Sequence, residues 1–507
     1  MSSIWTLSPD AIITILYGEA NMYQKQSSNL PTNRPLSSKT KRLRSVLDAL
    51  AAVCLYERQY QVFAVSISIN QGPTPGVTLY VSQNSAVPQF VVDHLLDIRA
   101  RLAHIRVLSV KSEQCSAESL DHTTLQNATT DLEISLYLHS YEKLRHRFLK
   151  GEDLVFDSKY AEFVASNPDT TPEEHTRFQD LLIQLAKLRK LMAGNAQPSY
   201  TTGKAAVEVI SGLWDKWKPM LGINSEMMAL WDITFLLSLR TYLEKLFRLH
   251  EQFLILSAIA TSVHFTQFLD GYFEVKVIGA ELKDLLIDLS LSTIGDSLFK
   301  SGDHHVMRGD VNDGEVHQRV LYNISHLAKR RGVQFTDQAG FDDLQQLSFP
   351  HTNVHCECTL LAFHYCNLLV SVIGYIGLSK RPCYACHLYF LAYNRVAGKH
   401  AGCRTFSTRP SHSQIRIPWV SPTLGFNGVE ETNTDAEVKQ YLVDHHLQPA
   451  LWKYLQKVAN AIQDEKRKPP FLYSFSNQGP GRWMWTYEQR KGPRIVVSPD
   501  KPAISVI

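Results

Sequence analysis

One imidazole, two thiols and one carboxylate fall into two short clusters. These are His355-Cys356-Glu357 and, after 24 intervening residues, Pro382-Cys383-Tyr384-Ala385-Cys386. Nitrogen and sulfur donors of this kind suit Zn2+, and three of them from the protein leave a fourth tetrahedral position for water. A metal held this way lowers the pKa of that water towards 7, and a nearby carboxylate that is not a ligand can carry the proton. Two thiolates cancel the charge of the ion while a neutral imidazole adds none, which preserves Lewis acidity. The chemistry on offer is metal-assisted hydrolysis, with His355, Cys383 and Cys386 as ligands and Glu357 as proton carrier.

Such a site needs two helix starts. Cys383 and Cys386 are three residues apart, so on a helix both sulfurs project from one side. Pro382 suits a first turn, and the amides and dipole of a helix N-terminus favour the thiolate form. The apolar run Val372 to Leu378 would be the strand that feeds this helix. His355 and Glu357, two apart, would diverge by about 200° along a helix side. They share one centre only if the metal sits off a helix end, and Pro350, Thr352 and Asn353 suit a helix start there. Two alternatives stay open. A structural zinc knot would add Cys356, Cys358 or Cys403 as fourth ligand, and a pseudoenzyme would keep the metal without turnover. Cys356 and Cys358 otherwise pack as small apolar residues. His364, His387 and His400 are lone histidines at the surface or in the core.

The chain has 507 residues, 44% of them hydrophobic, enough for two or three folded domains. A net charge of +3 argues against bulk attraction to nucleic acid or membrane. Six of the eight cysteines lie between Cys356 and Cys403, a clustering that favours metal ligands in a reducing compartment over a disulfide framework. The start, Met1-Ser2-Ser3-Ile4-Trp5, lacks the order of a secretory signal. An intracellular location, cytoplasmic or nuclear, is expected, with no membrane span. The uncharged run Thr359 to Leu378 reads as a buried helix followed by a strand, since His364, Asn367 and two glycines interrupt it.

Residues 20–40 read as a loop. Val46, Leu47, Leu50, Val53 and Cys54 make one helical face, Phe63, Val65, Ile67 and Ile69 alternate as a strand, and Val77 to Val81 form a second strand after a Gly/Pro turn. Helices follow: a stripe from Val91 to Ile105, a helix from Pro172 capped by Thr171 and ended by Gly194, and a helix-compatible stretch from Ser225 to Val263. Residues 301–350 look irregular. After Cys386 come a helix to about Val396, a strand around Gln414–Val420, a Thr434/Glu437 capping box and a helix begun or kinked by Pro449. The expected division is 1–40 N-terminal segment, 41–85 and 346–430 the two parts of one core, 86–345 a mainly α-helical insertion, and 431–507 C-terminal helices and tail. Long insertions are tolerable because closure entropy grows slowly with length.

The H-x-E…P-C-x-x-C pattern resembles the cytidine deaminase-like superfamily, whose zinc enzymes act on nucleobases and nucleosides. The wording VHCEC…SKRPCYAC is similar to a deaminase-like group expanded in fungi and related to bacterial toxin deaminases. The resemblance covers about 355–420 directly. It implies a three-layer α/β (α+β) core with a mixed sheet, here carrying a large all-α insertion. It also implies hydrolytic loss of ammonia from a cytosine or adenine moiety, in a nucleoside, nucleotide or nucleic acid. Asn84, just past the second strand, matches a position where nucleoside deaminases often place an Asn against the sugar, or is equally a turn residue with no ligand. Cys356 is a further substrate-contact candidate. Between 350 and 420, seven Lys/Arg (Lys380, Arg381, Arg395, Lys399, Arg404, Arg409, Arg416) face one acid, which suits a phosphate-bearing substrate or equally a solvated face. Trp419, Trp483, Trp485 and Tyr487 are base-stacking candidates or tail packing. In the alternative reading, a zinc-stabilised interaction protein, the helical insertion would recruit a protein partner.

Overall fold

The alternation of Phe63 to Ile69 becomes the inner strand of a small mixed sheet in the computed structural model. The structure describes residues 7–18, 38–57, 61–70, 75–114, 120–149, 172–194, 198–219, 234–289, 312–330, 346–368, 370–400, 402–412, 414–425, 433–467, 485–486 and 496–497. The chain begins with α1 (Pro9–Tyr17), α2 (Ser38–Val53), β1 (Phe63–Asn70) and β2 (Gly76–Gln83). A helical stretch follows: α3 (Gln89–Gln114), α4 (Leu120–His139), α5 (Tyr141–Leu149), α6 (Pro172–Ala193), α7 (Tyr200–Trp217), α8 (Thr234–Ala260) and the short α9 (Thr266–Asp270). Then come β3 (Tyr272–Val277), β4 (Leu282–Asp288), α10 (Asp313–Arg330), β5 (Gln346–Asn353) and α11 (Cys356–Cys366). The last elements used below are β6 (Gly377–Leu378), α12 (Tyr384–Ala397), α13 (Asn433–Leu442) and α14 (Gln448–Arg467).

The sheet order is β3-β2-β1-β6. β1 runs antiparallel to β2 and to β6, with Ala64 opposite Leu378, and β3 joins β2 in parallel. β1 sorts its side chains as period two requires. Phe63, Val65 and Ile67 pack with α2 and the helices of the insertion, while Ala64 belongs to the core that contains α11 and α12. Ser66 also points to the α11 side, where its Oγ lies 2.7 Å from His364 Nε2. Small residues on this face of β1 let α11 lie close to the sheet. Helices thus cover both faces, giving an α/β core with a large helical addition.

Helices fill most of 86–345, and the segment also supplies β3 to the core sheet and β4 as partner of β5. The expectation of irregular chain over 301–350 is corrected by α10 and β5. Val316, Val320, Leu321 and Ile324 form a buried stripe that the surrounding polar residues conceal in the sequence. The expected strand at Gln414–Val420 is also corrected. This segment joins no ladder, and Pro418 within it has no N–H to offer one. Thr434 does not cap its helix, because α13 already begins at Asn433; Glu437 instead meets His400 at 3.2 Å. Only Gly377 and Leu378 of the run from Val372 form a ladder strand, preceded by two isolated bridges, Val372 to Ser68 and Tyr375 to Ser407. The N-terminal helix α1 was not foreseen, although Ser8 caps it and Pro9 and Asp10 open it. Thr171, Ser225 to Ile233 and most of 20–40 lie outside the described residues. Among the described residues no single helix is long and apolar enough to cross a membrane.

α2 holds β6 in place. Asp48 accepts hydrogen bonds from Leu378 N (2.8 Å) and the Tyr375 hydroxyl (2.9 Å), and Arg409 lies 3.8 Å from its carboxylate. Gly377 touches the backbone of α2, where an added Cβ would stand 2.4 Å from the carbonyl carbon of Leu47. Backbone cannot yield as a side-chain tip can. Gly377→Ala is therefore expected to destabilise the fold by about 3 kcal/mol, from overpacking against a fixed helix. Gly212→Ala, in α7 with nothing within 4 Å of the new methyl, should instead stabilise by about 0.5–1 kcal/mol. Urea unfolding of the two variants should give opposite signs.

Candidate metal centre

Two helix N-termini face one another across the end of the sheet. α11 starts at Cys356 with His355 as its N-cap residue, in extended conformation (ψ 138°). Glu357 stands in the first turn, so the two side chains flank the helix end rather than opposite sides of a cylinder. α12 starts at Tyr384 with Cys383 as N-cap, its sulfur accepting from Cys386 N at 3.4 Å. Pro382 precedes the cap.

This brings His355, Cys383 and Cys386 together, with their ligand atoms all within 4.8 Å of one another. Nδ1 of His355 lies 3.1 Å from Cys386 Sγ and 3.6 Å from Cys383 Sγ, and the two sulfurs are 3.3 Å apart. Zinc bond lengths imply about 3.5–3.8 Å between tetrahedral ligand atoms. The group fits that ion after a few tenths of an ångström of expansion. Cys356, Cys358 and Cys403 are not members of the group, so among the described residues no fourth sulfur closes it as a structural knot would.

The supporting contacts are specific. Trp419, fully buried, donates its indole N–H to Cys386 Sγ at 3.3 Å. That geometry corrects its reading as a base-stacking residue. An indole with no exposed face cannot stack on a ligand, and here it orients a sulfur. Trp483 and Tyr487 lie outside the described residues; Trp485 is described only through its backbone, which pairs with Val497. Cys358 packs below the group, with a side-chain hydrogen bond to Cys386. Glu357 is 3% exposed, and Cys356 Sγ lies 3.5 Å from its Oε2 and 3.5 Å from Val62 O. Asn84 accepts from Cys356 N through Oδ1 at 2.9 Å, which places it at the same helix end. Its Nδ2 has no partner among the described residues.

The helix-terminus expectation of lowered thiol pKa values is corrected. Burial pushes both thiols well above their usual range, with each sulfur's neighbours adding to it: Cys386 for Cys383, and Cys358 for Cys386. A dipole worth a fraction of a charge does not offset complete desolvation. Burial also disfavours the His355 imidazolium, but Cys383 and then Glu357 outweigh it and hold its pKa at about 9. The three groups share protons as one coupled set. A metal ion would have to displace those protons.

Two of the seven local cations are already engaged. Arg404 donates to the carbonyls of Val370 and Val372, and Arg409 to that of Leu378. Both serve the backbone of the segment before α12. His364, bonded to Ser66, is a core residue whose pKa burial lowers to about 4.

Residues 354–423 match the family described as OTT_1508-like deaminase, and this range holds His355, Glu357, Cys383, Cys386 and Trp419. No curated protein and no solved structure matches the chain.

Proposed function

Residues 354–423 belong to the deaminase-like superfamily, in the group related to bacterial toxin deaminases, and from that premise we propose that the protein is a zinc-dependent hydrolytic deaminase of a cytosine or adenine moiety. The observation that carries this reading is the three-donor group of His355, Cys383 and Cys386 with Glu357 buried beside it. Zinc, when bound, supplies Lewis acidity that activates water near neutral pH. His355 and the two cysteines hold the ion, and Trp419 fixes the lone pairs of Cys386. Glu357 takes the proton of the attacking water, passes it to the ring nitrogen of the base, and then helps the amino group leave as ammonia. Its burial excludes bulk water from these transfers. Asn84 lies at the same helix end and contacts the substrate there, while Cys356, fully buried, supports Glu357 from behind.

Metal analysis of the full-length protein, joined to an ammonia-release screen over nucleosides, nucleotides and single-stranded oligonucleotides, tests the proposal. One zinc per chain and turnover of an amino-bearing base are expected. Zinc without ammonia release from any base would overturn hydrolysis, and would favour a zinc-stabilised interaction protein that recruits partners through its helical insertion.

A further inference from the structure

A second feature lies where the insertion meets the core. α5 and α8 face the segment before α12 across a cleft of ≈ 390 Å3, counting its open mouth. Ser140, Lys143, Arg147, Arg248, Gln252 and Ser379 line it, with no acid among the lining residues. Lys143 forms the floor and is only 7% exposed. Among the described residues nothing pairs with its ammonium group. Arg147, half-buried, reaches only the carbonyl of Lys245 (3.3 Å), and Arg248 is exposed at the rim. The nearest carboxylates to Arg248 on its own helix are engaged elsewhere: Glu244 with Arg240 (3.0 Å) and Glu251 with Lys218 (3.6 Å). Ser379 Oγ accepts from Phe63 N at 2.8 Å, so its own proton remains to be donated.

Two guanidinium groups and the amine of Lys143 gather around a poorly solvated floor, where a third positive charge is opposed. Burial and then Arg147 and Lys380 lower the pKa of Lys143 to about 6, and burial with Arg248 lowers that of Arg147 to about 10. An arrangement so unfavourable alone becomes favourable once an anion enters. We propose that this cleft binds the terminal phosphate of a nucleotide, one oxygen at Lys143 and the others at Arg147, Arg248 and the Ser379 hydroxyl. Only a small space opens beside these residues, which suits a chain end better than a phosphodiester that must enter and leave. One short segment links the cleft to the metal centre. Ser379 precedes Cys383 by four residues, and Lys380 between them feels the charges of both Arg416 and Arg147. That the nucleotide is the substrate rests on the deaminase reading; that the cleft takes phosphate does not.

Calorimetric titration of the full-length protein with inorganic pyrophosphate at fixed ionic strength provides the test. One site per chain is expected, weakened roughly 10- to 100-fold by Arg147→Gln and by Lys143→Met, and unchanged by Lys216→Gln on the remote face of α7. Lys143→Met should raise the melting temperature of the free protein while weakening binding, because it removes a buried amine with no hydrogen-bond partner among the described residues. That combination excludes misfolding as the cause. Equal binding by all variants, or none by the wild type, overturns the proposal. So does an oligonucleotide without a terminal phosphate that competes as well as a 5′-phosphorylated one. Glu357→Ala should bind pyrophosphate normally, so the cleft can stand even if no ammonia is released. If the nucleotide is the substrate, Arg147→Gln raises KM for the nucleoside phosphate and leaves that for the nucleoside unchanged; if only binding moves, the phosphate comes from a separate ligand.

Discussion

Glu357→Ala should lower ammonia release roughly 10^3-fold while the protein keeps one metal ion per chain. General acid–base groups contribute about 10^2- to 10^4-fold, and this one would act more than once in a turnover. The ligand group does not include Glu357, so its removal leaves the donors intact. The side chain is 3% exposed and its described polar contact is the thiol of Cys356. Loss of a buried carboxylate with so few partners should leave the melting temperature unchanged or higher. Glu357→Gln keeps the volume and is the stricter form of the experiment. Turnover retained within tenfold by either variant, with metal still bound, would remove Glu357 from the chemistry.

Cys386→Ser should weaken metal binding at least about 100-fold, because a hydroxyl is a far poorer zinc ligand than a thiolate. The wild-type protein should lose thermal stability when a chelator is added, and the variant should not respond, since binding free energy is folding free energy where a site closes on the metal. The pH dependence has a fixed sign. In the metal-free centre burial keeps the two thiols protonated at neutral pH, and His355 has a pKa of about 9. The metal-bound centre holds none of these protons. Uptake of zinc should therefore release about 2 protons from the coupled set, and affinity should fall as pH falls. Competition with a coloured chelator between pH 6 and 8 measures the slope, and a flat profile would contradict the ligand set.

The motif residues were legible because their geometry is local. A helix that starts between His355 and Glu357, and another at Pro382, follow from spacing and capping chemistry alone, as does the alternation in β1. What was not legible depends on distant partners. Asp48 looks like one polar residue on an amphipathic helix, yet it anchors Leu378 and Tyr375 more than 300 positions later. Arg404 and Arg409 read as a phosphate-attracting surface and turn out to hold backbone carbonyls. Trp419 offered an indole, but not the information that a sulfur would be its acceptor. The strand β3 does alternate, Phe273, Val275 and Val277 against Glu274 and Lys276, but a run this short at the end of a helical stretch is easily passed over; β2 offers it the edge it joins.

The pairing of Ala64 with Leu378 also has a consequence for biosynthesis. At about 5–20 residues per second, a ribosome needs roughly 15–60 s to travel between these two partners. Through that interval the first hairpin has no neighbour on its inner edge, and its greasy face must be shielded by early helices or by chaperones. A nascent chain stalled within that window would carry an unpaired edge of the kind that invites aggregation.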